Sequence, residues 1–308
     1  MDDDLRTLER RVRAGDFSSA HCLARAKLRS GDIAGAARAY DIALANAPNS
    51  EIYDFAEESL LGLGVPWVRF SETEMILYNV LHQGAGDTSR VPYKLVWDLS
   101  RFKHERANRR ENDGECFFTQ DRLVEILGQD SKKNVPTPKE YHSTVLFLDS
   151  ALQRGFQPTD VARVQQLFKE DFEKYWMITS GRVEGPTVLQ GYGRKPESQE
   201  RIQTDIRGNT GFLRDIGDAG PIIAQTVLGA HETPEQLDAL YNTASGSISG
   251  AYAWTRESTD TQPRAVVLGR NVIGRFDIGC SDSIYGRPAR LVVASRAKKI
   301  CSGNEGAQ

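Results

Sequence analysis

The sequence predicts an α+β protein in which helices come first and strands follow. Two observations carry that expectation. Through the first half, apolar residues recur at helical spacing between aspartate starts and glycine stops. After about residue 180 the apolar runs shorten, become β-branched and are separated by Gly, Pro and Asp turns; seventeen of the 27 glycines lie beyond that point. The expected organisation is an α-helical region over residues 1–178, a β-rich, antiparallel, sandwich-like domain over 183–298, and a flexible tail over 299–308.

The elements follow in order. Leu5, Leu8 and Val12 give a first helix one apolar face, and Gly15 ends it. Ala20, Leu23, Ala24 and Leu28 mark a second helix that stops at Gly31, and Ala36, Ala37, Tyr40, Ala43 and Leu44 a third that stops at Pro48. Gly15-Asp16-Phe17 and Gly31-Asp32-Ile33 are equivalent turns, each with a terminal glycine and an aspartate able to cap the next helix. Small residues at these spacings mean close helix contact, and a further helix is expected over about 50–63.

Residues 17–49 resemble a tetratricopeptide repeat. Leu23 and Ala24 fall at the large–small pair of its first helix, Gly31 in its turn, and Ala36, Tyr40, Ala43 and Pro48 match its second helix in order and spacing. Ala20 stands where the family carries Trp, and Lys27 where it carries Tyr. The resemblance covers about a tenth of the chain. It implies a stacked helical hairpin and, with it, docking of a protein partner. One repeat cannot bury its own face, so neighbouring helices must complete the stack.

Beyond it, helices are expected over Glu72–Leu81 (Met75, Ile76, Tyr78, Val80, Leu81) and Tyr93–Arg110 (Leu95, Val96, Trp97, Leu99 and Phe102, then a basic run), with Gly84-Ala85-Gly86-Asp87 between them. Thr119–Leu127 reads as a short helix. Thr137-Pro138-Lys139-Glu140 reads as a capping box with proline in the first turn, opening a helix to about Arg154. Pro158-Thr159-Asp160 opens another, through Val164, Phe168, Phe172 and Trp176. In the β-rich half, strands are expected around 187–189, 222–223, 265–268, 271–278 and 291–293. One helix interrupts them, starting at Thr233-Pro234-Glu235 with Leu237, Leu240 and Tyr241 facing inward.

Composition bounds the function. A formal net charge of −3 and 39% apolar residues describe a globular chain without the basic balance of a nucleic-acid binder. No run approaches a membrane span, and Met1-Asp2-Asp3-Asp4 is the reverse of a basic leader, so a cytoplasmic protein without a membrane partner is expected. Cys22, Cys116, Cys280 and Cys301 form no C-x-x-C pair. Cys22 is expected to be buried on a helical stripe, and Cys280 and Cys301 would pair only in an oxidising compartment.

Catalytic signatures are mostly missing. There is no phosphate-binding P-loop, no nucleophile elbow and no H-E-x-x-H. Gly191-Tyr192-Gly193 lacks the third glycine of a dinucleotide fingerprint, and none of His21, His82, His104, His142 and His231 begins an H-x-D or H-x-E. No cofactor is implied. Four weaker groupings remain. On a helix, Arg106, Arg109 and Arg110 share one face, which would hold a phosphate or an acidic partner or else be a solvated surface. On a strand, Tyr252 and Trp254 point the same way, as a stacking platform or, more readily, as core. Arg207, Asn209, Arg214 and Asp215 with Asp218 crowd one loop that would present polar groups to a ligand or simply turn the chain. Asp277, Ser281, Asp282, Ser283, Tyr285 and Arg287 surround Cys280 without ordered ligand spacing.

The leading functional expectation is a non-catalytic interaction protein. Its helices would dock a protein partner, and its β domain would recognise a second ligand, with carbohydrate favoured by Tyr252, Trp254 and the 207–218 loop. The alternatives are an enzyme acting on a sugar or nucleotide-sugar, using Arg106, Arg109, Arg207, Asp215 and Asp282, and a structural subunit of a larger assembly.

Overall fold

The computed structural model describes residues 2–14, 16–82, 91–110, 114, 116–128, 132–174, 176–245, 250–255, 257–259, 261–270, 274–280 and 290–295. Four helices come first: α1 (Asp2–Arg13), α2 (Phe17–Arg29), α3 (Ile33–Ala45) and α4 (Ser50–Gly62). The starts of α2 and α3 are the expected ones. Asp16 accepts from the Ser19 N–H, Asp32 from Gly35 and Asn49 from Ile52. At Gly35 the Asp32 carboxylate lies close against the backbone, where a Cβ would require it to shift. Ala20, Ala24, Ala36, Ala37 and Tyr40 are buried between the helices. Cys22 is exposed, not buried as expected: it lies beside the packed stripe of Leu23 and Ala24, one position off the contact face.

The next elements overturn the two helices expected over 72–81 and 93–110. β1 (Trp67–Phe70), β2 (Glu74–His82) and β3 (Val91–Asp98) form antiparallel pairs, and β13 (Val292–Ser295) completes a four-stranded sheet in the order β1-β2-β3-β13. The reason is burial on both faces. Ile76 and Tyr78 pack toward α1–α4, while Met75, Leu77 and Val80 enter the main core. A strand covered on both sides shows a continuous apolar run and loses the alternation that would distinguish it from a helix. A bulge between Leu77 and Val80 holds Asn79 at positive φ, its amide donating to the carbonyls of Leu60 and Val65. The Gly84–Asp87 break lies outside the described residues.

After β3 the chain is irregular until β4 (Arg109–Arg110) pairs with β5 (Cys116–Phe117). Three expected helices follow: α5 (Gln120–Leu127), α6 (Pro138–Arg154) and α7 (Pro158–Lys174). The second sheet has seven strands: β6 (Met177–Glu184), β7 (Thr187–Gln190), β8 (Glu200–Gln203), β9 (Gly211–Phe212), β10 (Ala251–Thr255), β11 (Arg264–Arg270) and β12 (Phe276–Cys280). Their order is β8-β7-β6-β11-β12-β10-β9. The sheet is mixed rather than wholly antiparallel, because β10 and β12 run parallel. Residues 222–223 are helical, in α8 (Ala219–Ile223), which runs into a π-helical turn at 224–228; α9 (Pro234–Ser245) is the expected interrupting helix. The α+β class and its order, helices before the larger sheet, are thus as expected. The first 178 residues nevertheless contain strands, and one core running from Val68 to Val292 joins the two sheets through α6 and α7. The tail expected over 299–308 lies outside the described residues.

Helix α6 is the hub. Its capping box is formed in both directions between Thr137 and Glu140. Its next residues carry charge inward and tie it to three other segments. Lys139 pairs with Glu200 on β8 at 2.5 Å, Glu140 with Arg194 at 2.7 Å, and His142 with Glu232 at 3.1 Å. His142 donates from Nε2 to the Glu232 carboxylate, and its Nδ1 faces the Tyr241 hydroxyl at 3.2 Å. Burial alone would raise the Glu232 carboxyl. The hydrogen bond and charge of His142, with backbone N–H groups, outweigh it and lower the pKa from an ordinary 4.5 to about 2. A carboxyl depressed in the folded state stabilises it above the unfolded pKa and loses that contribution as pH falls toward the folded one. The Glu232 contribution, up to about 3 kcal/mol, is therefore complete above about pH 4.5 and disappears toward pH 2. Urea unfolding of the parent and of Glu232→Gln should differ most at pH 5 and converge on acidification; a gap independent of pH would contradict this.

Candidate recognition site

Strand β10 sorts its residues by face. Ala251, Ala253 and Thr255 are buried, Tyr252 is half-buried, and Trp254 is 48% exposed. The two rings share a face, as strand periodicity requires, but that face is the outer one. Core, the more ready of the two readings from sequence, is corrected. The inner face carries the small side chains Ala251 and Ala253, which pack in the main core with Phe276 and Ile278, and α9 contacts the strand.

The outer face of the seven-stranded sheet is divided. Over β6 and β11, Ile178 and Val267 are covered by Phe118, Leu123 and Trp176. Gly279, opposite Trp254 in register, marks the border, since a side chain there would strike Val267 and the Trp176 indole. Over β9, β10 and the start of β12 the face carries Phe212, Tyr252, Trp254 and Arg275. Phe212 meets Tyr252 edge-on at 5.2 Å between centroids. The Arg275 guanidinium lies 3.6 Å from the Tyr252 centroid, and that of Arg214 lies 5.0 Å from Phe212.

Two acids fix this arrangement. Asp277, only 1% exposed, grips Arg275 through both carboxylate oxygens at 2.5 and 3.1 Å. Asp238 on α9 accepts from Arg214 and from the Ala251 N–H, each at 2.7 Å. Gly250 has φ +92°, and a side chain there would collide with the Asp238 carboxylate, so glycine is required at that approach. The arginines are thus pre-oriented over the rings, and no ordering cost falls on a ligand for them.

The pairing of β9 with β10 is extended by the loop before it. Beyond the two residues of β9, Thr255 is bonded by the Asn209 N–H at 2.9 Å and by the Thr210 hydroxyl at 3.1 Å. These bonds also place the remaining candidates. Asn209 spends its amide on the carbonyls of Ile206 and Arg207, and Arg207 forms a double bond pair with Asp205 at 2.8 Å. Both serve the loop. Arg214 belongs to the aromatic face, and Asp215 stands exposed beside it at 3.9 Å.

Arg106, Arg109 and Arg110 do not share a helix face. Arg106 sits in irregular chain and pairs with Glu125 on α5 at 3.3 Å, whereas Arg109 and Arg110 form β4, with Arg109 5.6 Å over the Phe117 ring. Adjacent strand residues point to opposite sides, so the shared anion site expected from helical spacing does not form. Asp282 and its neighbours at 281–287, and Cys301, lie outside the described residues. Among the described residues, no group of three His, Cys, Asp or Glu side chains is placed to hold a metal ion, and no helix is long and apolar enough to cross a membrane.

Comparison with family models, curated proteins and solved structures returns no match. The geometry therefore stands by itself. Sequence reasoning passed over Phe212 and Arg275. The signal for Arg275 was its two-residue offset from Asp277 on a strand, which puts both on one side. Phe212 had no local signal, because its contact with Tyr252 comes from the pairing of β9 with β10.

Proposed function

We propose that this chain is a non-catalytic recognition protein with two surfaces. The aromatic face around Trp254, Tyr252 and Phe212 takes the ligand, and carbohydrate is the class that best suits it. A single observation carries the reading: a tryptophan 48% exposed on a strand whose alternate residues are fully buried. An indole in that position gives the fold little, while Trp, Tyr and Arg together are the side chains that concentrate binding energy. Trp254 offers the open ring, and Tyr252 under Arg275 flanks it with a planar cation that donates to sugar hydroxyls. Helices α1–α4 form the second surface, a tetratricopeptide-like hairpin at 17–49 that docks a protein partner. Phe55, Leu28 and Ile33, about 40% exposed, are its apolar contacts.

The test is glycan-array screening followed by tryptophan-fluorescence titration of the parent and Trp254→Ala. The expected result is saturable binding that weakens at least about tenfold in the variant. The unfolding free energy should change by no more than about 0.5 kcal/mol, since the ring stands outside the core clusters. Absence of binding to any glycan, or equal binding by the variant, removes the carbohydrate reading.

A further inference from the structure

We infer that α2 and α4 present a self-complementary face, and that the protein they dock is a second copy of this chain. The inference rests on the reading of α1–α4 as a docking surface and names its occupant. Both helices pack on α3 and bury their alanines and leucines there. Above α3 they meet each other. The His21 ring of α2 touches the Phe55 ring of α4 edge-on at 5.5 Å. The Tyr40 hydroxyl of α3 reaches between them, 3.1 Å from His21 Nδ1. Burial raises the pKa of that hydroxyl, and Ser59 of α4 and Arg25 of α2 both oppose the shift. Residue 21 is thus level with 55, and 25 with 59, so the two helices run parallel and in step.

The outward side of this helix pair is ordered by charge. Arg25 and Arg29 stand one turn apart on α2, and both are exposed. On α4, Ser59 turns inward to Tyr40. Glu51, Phe55 and Glu58, spaced so as to share a side, therefore face out, and all three are exposed. Among the described residues, none of these four charged side chains has an ion-pair partner. A basic ridge, an aromatic strip and an acidic ridge run side by side. Phe55 is 44% exposed, and Leu28, 40% exposed, extends the strip along α2.

Such a face complements itself. A two-fold axis parallel to the helices and midway between them lays α2 of one copy over α4 of the other at the same height. Arg25, level with Ser59, then meets the partner's Glu58, and symmetry makes that pair twice. The strips of His21, Phe55 and Leu28 close on each other at the centre. The apolar strip supplies the buried area, and the charges fix which ridge lies over which. Any other protein would have to carry the same three strips in the reverse order, an order that this chain already supplies when turned about the axis.

The experiment is sedimentation equilibrium of the full chain over a concentration series, with amide exchange measured on the associated form. A reversible monomer–dimer equilibrium is expected, with protection on α2 and α4. Arg25→Glu and, separately, Glu58→Arg set like charges against each other at two points and should weaken dimerisation about tenfold or more. The double variant R25E/E58R restores opposite charges and should recover most of the association, a rescue that a folding defect cannot produce. Trp254→Ala should associate as the parent does. Two failures are distinguishable. A parent that stays monomeric, or a double variant no better than the single ones, overturns the self-association and leaves the helices to dock another protein. A dimer whose protection lies away from α2 and α4 overturns both this inference and the docking role of the helices.

Discussion

Replacing Asp171 with asparagine should lower the unfolding free energy by about 3–5 kcal/mol at neutral pH, read as a fall in urea midpoint at unchanged slope. The carboxylate is 2% exposed and lies between two guanidiniums, those of Arg290 at 2.8 Å and Arg101 at 3.2 Å. Burial raises the Asp171 carboxyl above its ordinary value, while the charges of Arg290 and Arg101 oppose that shift. The trio as a whole therefore contributes little net stability, since desolvation offsets much of its attraction. Removing one member is different, because it strands Arg290, itself 4% exposed, without its counter-charge. Asparagine keeps the shape and isolates the charge. Arg290→Gln should cost a similar amount, and the double variant should lose clearly less than the sum of the two. Additive losses, or a loss under about 1 kcal/mol in Asp171→Asn, would show that this cluster is not the desolvated pair described here.

What could be read from sequence was local. Asp16, Asp32, Thr119, Thr137 and Thr233 announce helix starts because the bond they make closes within three residues. The inward face of α9 was legible for the same reason. What failed depended on the other side of a contact. The residues of β2 look helical because both of their faces are covered, one by α1–α4 and one by the main core. Tyr252 and Trp254 were placed on one face by strand period, but which face depends on the packing of α9 against the alanines between them. The Asp171–Arg290 pair has no local pattern, since its partners are 119 positions apart and come from α7 and from the segment before β13. The three arginines at 106, 109 and 110 misled for the complementary reason. Their spacing is a helical face only if the segment is a helix, whereas Arg106 lies in irregular chain and pairing with Cys116–Phe117 makes Arg109 and Arg110 a strand.

Glu140→Ala should be as damaging as any substitution in α6, and its comparison with Thr137→Ala separates two roles that the sequence presents as one motif. The capping box by itself is worth about 1 kcal/mol, which is the loss expected for Thr137→Ala. Glu140 does more than cap. Its Oε2 accepts from the Thr137 N–H at 2.7 Å, and its two oxygens also take the Arg194 guanidinium at 2.9 and 2.7 Å. Arg194 in turn donates to the Val135 carbonyl at 2.8 Å and seats the loop 191–195 against α5. There Gly193, at φ +84°, lies too close to Val124 for any side chain. The acid is 5% and the guanidinium 12% exposed, so truncating Glu140 leaves a largely buried charge unmatched. The expected cost is about 3–5 kcal/mol, with faster amide exchange over the 191–195 loop. Glu140→Gln retains an acceptor for the Thr137 N–H and removes the charge, so it should fall close to the alanine variant and well below Thr137→Ala. If instead Glu140→Gln matched Thr137→Ala and the loop kept its protection, helix capping alone would explain the motif, and the bridge from α6 to the loop would carry no weight.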